Sequence, residues 1–169
     1  RRSLAGKKYH ITMPQILATI SSFETYKCFF VIETDGGAWT PEALAAAVGI
    51  KVPAAARALK DFLKTGLVKA EGKKYRSRLA GMLVEYPDAP AIPREVLGKI
   101  KEYQGRLERE SRVEFGVSGL LRAGSDALRG YYPMLKSAVE ASYAFSTTKK
   151  TAKSAGFFVV SRVHRLWNF

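Results

Sequence analysis

Cysteine and histidine are scarce in this chain. Its 169 residues include one cysteine, Cys28, and two histidines, His10 and His164. A single cysteine excludes an intrachain disulfide and a cysteine-rich metal site, and two histidines so far apart in sequence do not indicate a metal centre. Cys28 lies in the apolar segment 26–32, which predicts a buried structural thiol and fits a reducing compartment.

Long apolar runs are also lacking. The longest ones, 28–32 and 157–160, are far shorter than the roughly 18 residues that a membrane-spanning helix requires. The first eight residues are basic, but the apolar core of a signal peptide does not follow them. We therefore expect a cytoplasmic protein that has no membrane partner.

Recognisable catalytic groupings are absent too. The sequence contains neither a glycine-rich phosphate loop ending in lysine nor the glycine-flanked serine of a nucleophile elbow. Glu108, Glu110 and Glu114 belong to one charged helical segment with basic partners, which is typical of a solvated surface. The histidine-rich metal motif of a nicking replication initiator is also missing. We predict that the chain is not an enzyme and requires neither cofactor nor metal.

Positive charge, by contrast, is abundant. Lysine and arginine together number 28 against 15 aspartate and glutamate residues, which leaves a formal charge of +13. The apolar fraction of 47% is that of a folded protein, so we expect these charges to lie on the surface of a folded domain. Nucleic acid, an anionic membrane or an acidic protein would each be attracted, and the size of the excess favours nucleic acid.

Helix-start signals divide the first half of the chain. Thr12 and Gln15 are spaced as a capping box, Ser22 precedes an apolar segment that predicts a helix over 23–34, and Thr40 precedes Pro41. The helix that begins there should end at Gly49. A further helix is predicted from about residue 53 to 64 with residues 55, 59, 62 and 63 facing inward, followed by strands over 67–70 and 74–79 that flank a turn at 71–73.

The second half reads as mostly helical. Pro93 should open a long amphipathic helix, in which Val96, Ile100, Tyr103 and Leu107 form a seam with steps of four, three and four residues. This seam could pair two copies of the chain or pack internally against the later helices. Two more helices are predicted, over 117–129 and from Pro133 to about 145, whereas segment 157–167 fits either a helix or a strand.

Three further groups of residues have two interpretations each. The aromatic pairs are more often part of a core than a platform for bases or a ligand. The lysine cluster fits a second phosphate contact or a solvated loop equally well. These groups are Tyr131 with Tyr132, Phe157 with Phe158, and Lys149 with Lys150 and Lys153.

The segment 40–79 carries the specific signal. Leu44-Ala45 is followed after three residues by Gly49-Ile50, then by a leucine-rich helix end at 59–63 and by Gly66-Leu67-Val68. This pattern resembles the winged helix-turn-helix family of bacterial and archaeal transcription regulators. The resemblance implies a second helix that enters the major groove, a basic hairpin or wing, double-stranded DNA as partner, a nucleoid-associated location and a homodimer.

The predicted fold is mainly α with a small β-wing (α+β), a winged helix-turn-helix joined to a C-terminal helical region. We divide the chain into a basic arm (1–8), the N-terminal helices with the winged helix (9–86), a linker (87–92) and a helical dimerisation or effector region (93–169). Arg57 is the candidate for a guanine contact because its planar fork suits two acceptors. The full set of candidate DNA-binding residues is Thr40, Lys51, Ala54, Arg57, Lys60, Lys64, Lys73, Lys74, Tyr75, Arg76 and Arg78.

One departure from the family pattern concerns sequence specificity. The second helix begins Val52-Pro53-Ala54-Ala55-Ala56, where regulators of this family usually place polar residues that read base edges. This apolar start keeps two alternatives to a transcription regulator open, a DNA-binding replication-initiation or partition protein and a chromatin-architectural protein. A winged helix that binds protein or RNA is a further alternative, because the fold alone does not decide the partner.

Overall fold

The computed structural model describes residues 7–88, 91–113, 116, 125–142 and 159–162. These residues form a mixed fold of helices with two small sheets. The elements are β1 (Lys8–His10), α1 (Met13–Thr19), α2 (Phe23–Thr34), β2 (Ala38–Trp39), α3 (Pro41–Val48), α4 (Val52–Lys64), β3 (Val68–Glu71), β4 (Lys74–Ser77), β5 (Leu83–Glu85), α5 (Arg94–Glu110) and α6 (Ser125–Ser142).

The helix starts predicted from local signals are confirmed. The backbone N–H of Thr12 donates to Gln15 Oε1 at 3.0 Å, and Ser22 Oγ accepts from the backbone of Thr25 at 3.1 Å. Gly49 ends α3 with a φ of 70°, a left-handed conformation that a residue with a Cβ resists. Local hydrogen bonds and one glycine therefore define where these helices begin and where α3 turns into α4.

The larger sheet has the order β2-β4-β3 with both pairings antiparallel. β3 and β4 are joined by a two-residue turn in which Gly72 has a φ of 62°. The second strand of this hairpin ends at Ser77, short of the predicted residue 79. Ser77 Oγ accepts from the backbone of Leu79 and Ala80, which turns the chain out of the sheet.

A second, parallel pair of strands joins the two ends of the N-terminal half. Lys8 lies opposite Leu83 and His10 opposite Glu85. The predicted basic arm, residues 1–8, therefore extends too far. Lys8 belongs to β1, and its ammonium group is paired with Glu85. Residues 1–6 of the predicted arm lie outside the described residues.

One hydrophobic core unites α1 to α4 with the strands that follow them. Its largest fully buried side chains include Tyr26, Phe29 and Phe62, and the rings of Phe29 and Phe62 meet edge to face. Cys28 is fully buried, as predicted, and burial raises the pKa of its thiol to about 12. The thiol is therefore a packing group and not a reactive one at neutral pH.

The apolar seam of α5 packs onto this same core. Tyr103 is buried between Phe23 and Tyr26 of α2, with ring centroids 5.5 Å apart in each case. The other three members of the seam, Val96, Ile100 and Leu107, are partly buried against the core. The seam therefore packs internally, with Tyr103 on α2 and the other three members against the core formed by the N-terminal elements.

The predicted break at Pro133 is wrong. Pro133 lies inside α6, which runs through it from Ser125 to Ser142. Proline removes one hydrogen bond of a helix and crowds the carbonyl four residues earlier, yet α6 continues on both sides of Pro133. Tyr131 and Tyr132 are both exposed, so they are not the core residues that paired aromatics usually are. In the described ranges no helix is both long and apolar enough to cross a membrane.

Several predictions fall outside the described residues. They concern most of the helix over 117–129, the end of the next helix beyond residue 142, the lysine cluster and Phe157 with Phe158. Of segment 157–167 only 159–162 are described, and they form neither helix nor strand.

Candidate nucleic-acid interface

The outer face of α4 follows from how the helix is anchored. Ala55, Ala58, Leu59 and Phe62 are fully buried and pack the helix against α1, α2, α3 and β3. Leu63, which was predicted to face inward, is 40% exposed because it lies one position off this stripe. The side opposite the core is a row at helical spacing, formed by Pro53, Arg57, Lys60 and Lys64, all exposed.

The cations on this face are largely uncompensated. Lys64 Nζ lies 3.8 Å from Asp61 Oδ1, a loose surface pair. Lys51, Arg57 and Lys60 form no ion pair with any acid in the part of the chain that the structure describes. Their charges are thus available to an anionic partner.

The N-termini of α3 and α4 differ in their capping residue and in the charge of their first turn. Thr40 caps α3, and its Oγ1 accepts the backbone N–H of Ala43 at 3.2 Å. Hydrogen bonds from its own backbone and from Thr40 lower the pKa of Glu42 in the first turn. Lys51 holds the same place before α4 without a side-chain cap, and no acid occupies the first turn of α4. The positive end of α4 is therefore reinforced by Lys51, whereas that of α3 is offset by Glu42.

The hairpin that follows α4 presents more positive charge. Gly72 and Lys73 form its turn, and Lys73, Lys74 and Arg78 are exposed. None of these three cations has an ion-pair partner among the described residues. β3 packs directly against α4, so the hairpin is held on the same core as that helix.

Two members of the predicted set have internal contacts instead. Arg76 Nε donates to both carboxylate oxygens of Glu71, at 3.0 and 2.8 Å, and its Nη1 donates to the carbonyl oxygen of Gly36 at 2.8 Å. Tyr75 is half-buried against the core, opposite Trp39 and Ala70 in the sheet. Arg76 thus ties the hairpin to the loop before β2.

Glu71 is the residue of this region that the sequence pattern did not indicate. Hydrogen bonds from Lys69 and Arg76 lower the pKa of its carboxyl, and Lys69 Nζ lies 3.0 Å from Glu71 Oε1. The carboxylate therefore neutralises one cation and fixes another at the base of the hairpin. This ion pair could have been predicted from the sequence, because Glu71 and Arg76 are five residues apart across a two-residue turn and therefore lie on paired strands.

Ala54, the last member of the predicted set, is half-buried near the start of α4. The members of the predicted set that are exposed on α4, at its start or in the hairpin are Lys51, Arg57, Lys60, Lys64, Lys73, Lys74 and Arg78. Among the described residues, no group of three or more histidine, cysteine or acidic side chains could hold a metal ion.

No protein-family model matches this chain, and neither a curated protein nor a solved structure matches it. The function is accordingly inferred from the geometry and charge of its own residues.

Proposed function

We propose that residues 23–77 form a winged helix that binds double-stranded DNA, with α4 as the helix that enters the major groove and β3-β4 as the wing. The order α2, β2, α3, α4, β3, β4, with a three-stranded antiparallel sheet, supports this assignment. The left-handed corner at Gly49 between α3 and α4 supports it as well.

The observation that carries the proposal is the row of cations on α4. Arg57 and Lys60 point away from the core and have no acidic partner among the residues described. Arg57 and Lys64 are seven residues apart, a rise of about 10 Å, so with Lys60 between them the three cations form a linear row along one side of the helix. Segment 40–86 holds nine basic and four acidic residues, a net +5.

The described C-terminal elements leave this surface open. α5 packs on α2 through Tyr103, whereas Arg57, Lys60 and Lys64 remain exposed on α4. A duplex could therefore approach α4 without displacing α5.

We further propose a transcription regulator that acts as a homodimer as the biological role. Since the α5 seam is used inside the chain, the two copies would have to pair through another surface. The alternative role is that of a replication, partition or architectural protein, and the apolar first turn of α4 favours it. Selective binding to the promoter of its own gene supports the regulator, whereas equal binding to every duplex supports the architectural role.

Salt-dependent duplex binding tests the DNA proposal. If about six cations neutralise phosphates, the logarithm of the association constant should fall with the logarithm of salt concentration with a slope of about −5. The double variant Arg57→Gln/Lys60→Gln should flatten this slope by about 1.8, measured by fluorescence anisotropy on one labelled duplex.

The matched control is Arg94→Gln/Lys101→Gln, which removes the same charge from exposed positions of α5. We expect the salt slope of this control to differ from the wild-type slope by less than about 0.5, whereas the loss of two phosphate contacts changes it by about 1.8. Equal effects of the two double variants would show that net charge alone attracts the duplex, and would overturn the assigned surface.

A further inference from the structure

The outer face of the β3-β4 hairpin carries four charged side chains, three cations and one acid. Val68 of β3 is buried in the core, and side chains along a strand alternate between the two faces of a sheet. Residues directly opposite each other on paired strands share a face. The four side chains that the register places on the face away from the core are therefore Lys69 opposite Arg76 and Glu71 opposite Lys74.

Two of these cations lie directly opposite each other, an arrangement that is unfavourable unless an acid compensates it. Lys69 and Arg76 are partners in the register, and like charges in such pairs repel. Glu71 supplies the compensation. Its Oε1 lies 3.0 Å from Lys69 Nζ, and both of its oxygens accept from Arg76 Nε, at 3.0 and 2.8 Å. The hairpin therefore contains a site for an anion, and the chain's own carboxylate occupies it.

The side chains of this site suit a phosphate group. A phosphate, like a carboxylate, offers negatively charged oxygens, and lysine and arginine bind both through charge-assisted hydrogen bonds. Solvent reaches the site, because the side chains of Lys69, Arg76 and Glu71 are 51%, 42% and 34% exposed. Arg76 would stay in place without the carboxylate, since its Nη1 also donates to the carbonyl oxygen of Gly36 at 2.8 Å.

Lys74 shows what the same face offers where no acid intervenes. It is exposed, and it forms no ion pair with any acid in the part of the chain that the structure describes. Lys69 is a lysine on the same face of the paired strand, but its ammonium group is held by Glu71. The charge of Lys74 is thus open to a phosphate, whereas that of Lys69 is taken.

We infer that Lys69, Lys74 and Arg76 form a binding site for backbone phosphate of the duplex, and that Glu71 limits its affinity by occupying two of the three cations. This inference rests on the proposed DNA-binding function and adds to it a named surface and an internal competitor. The hairpin then contributes less to DNA binding than its number of cations would give, because Glu71 competes with phosphate for Lys69 and Arg76.

Removal of the Glu71 carboxylate tests the inference. Glu71→Gln keeps the size of the side chain and removes its charge, so Lys69 and Arg76 become available to phosphate. The full-chain variant should bind a labelled duplex roughly two- to ten-fold more tightly at low salt, with a log–log salt slope steeper by about 1.8, measured by fluorescence anisotropy. Glu102→Gln removes one acid from an exposed position of α5 and is the matched control, which should keep the wild-type slope.

The two lysines of this face give a second test. In the wild-type background, Lys74→Gln should flatten the salt slope by about 0.9, whereas Lys69→Gln should leave it within about 0.3 of the wild-type value. In the Glu71→Gln background, each of the two substitutions should flatten the slope by about 0.9. Circular dichroism checks that each variant is folded, and the comparison in the wild-type background is decisive even if Glu71→Gln does not fold.

A wild-type slope in Glu71→Gln, or an equal change in Glu102→Gln, would overturn the inference while duplex binding itself still supports the proposed function. Equal effects of Lys69→Gln and Lys74→Gln in the wild-type background would also overturn it, because Glu71 would then make no difference between the two lysines. Absence of binding to every duplex would overturn the proposed function as well, so the two failures are distinguishable.

Discussion

Helices α3 and α4 are neighbours that share a proline in the first turn but leave different surfaces. Each has proline at its start and packs its inner face into the same core. α3 has a threonine cap and an acid in its first turn, and its outer side carries Ala43, Ala46 and Ala47. α4 has a lysine at the cap and cations along its outer side. The comparison teaches that the shared core holds both helices in place. Their first residues and their outer faces determine which of the two carries positive charge towards solvent.

The largest expected effect tests what the two helices share. Phe62→Ala in α4 should lower the free energy of unfolding by about 3–5 kcal/mol, and Leu44→Ala in α3 by about 2–5 kcal/mol, because both side chains are fully buried. Urea denaturation followed by circular dichroism measures both. Leu63→Ala is the control at a 40% exposed position of α4 and should cost much less. Equal losses at residues 62 and 63 would contradict the assigned inner face of α4.

The corner between the two helices gives the next effect. Gly49→Ala should destabilise the protein by about 1–2 kcal/mol, because alanine resists the left-handed conformation at a φ of 70°. A Cβ at this position would have no other atom within 4 Å, so a clash would not add to the cost.

Gly98→Ala is the matched control, with equally open space but in the interior of α5. It should stabilise the protein by about 0.5–1 kcal/mol, since alanine loses less backbone entropy in a helix. Chemical denaturation curves of the two variants should therefore shift in opposite directions. Shifts of the same sign would show that the backbone conformation at residue 49 is not the cause.

The smallest effect concerns the two helix starts themselves. Thr40→Ala should lower the free energy of unfolding by about 1 kcal/mol, because the N–H of Ala43 loses its acceptor. Lys51→Ser should raise it by about 0.5–1 kcal/mol, because serine supplies α4 with the hydroxyl cap that it lacks.

The same Lys51→Ser variant should bind duplex DNA more weakly, with a salt slope flatter by about 0.9. Stability and affinity would then change in opposite directions at one residue, which is measured by denaturation and anisotropy on the same preparation. If the variant gains stability and keeps the wild-type salt slope, Lys51 does not contact phosphate.

Local signals were enough to predict the helix starts and the hairpin turn. The boundaries at Ser22, Thr40 and Gly49 were correct because caps and a left-handed glycine act within a few residues. The short strands β1, β2 and β5 were not predicted, since two or three residues carry too little pattern and pair only with distant partners. Pro133 was misread as a helix start because the sequence does not show which turns support it.

The sequence by itself determined where α1 to α4 begin, where α3 turns into α4, and that the outer side of α4 is basic, because hydrogen bonds within one turn and a period of 3.6 residues govern these features. Only the tertiary structure decided which cations remain free. Arg76 looks like its basic neighbours in the sequence, yet it is bound by Glu71 and by Gly36, which lies 40 residues earlier. The seam of α5 likewise has the pattern of a dimer contact, and only the aromatic side chains of α2, far away in sequence, bring it into the core of its own chain.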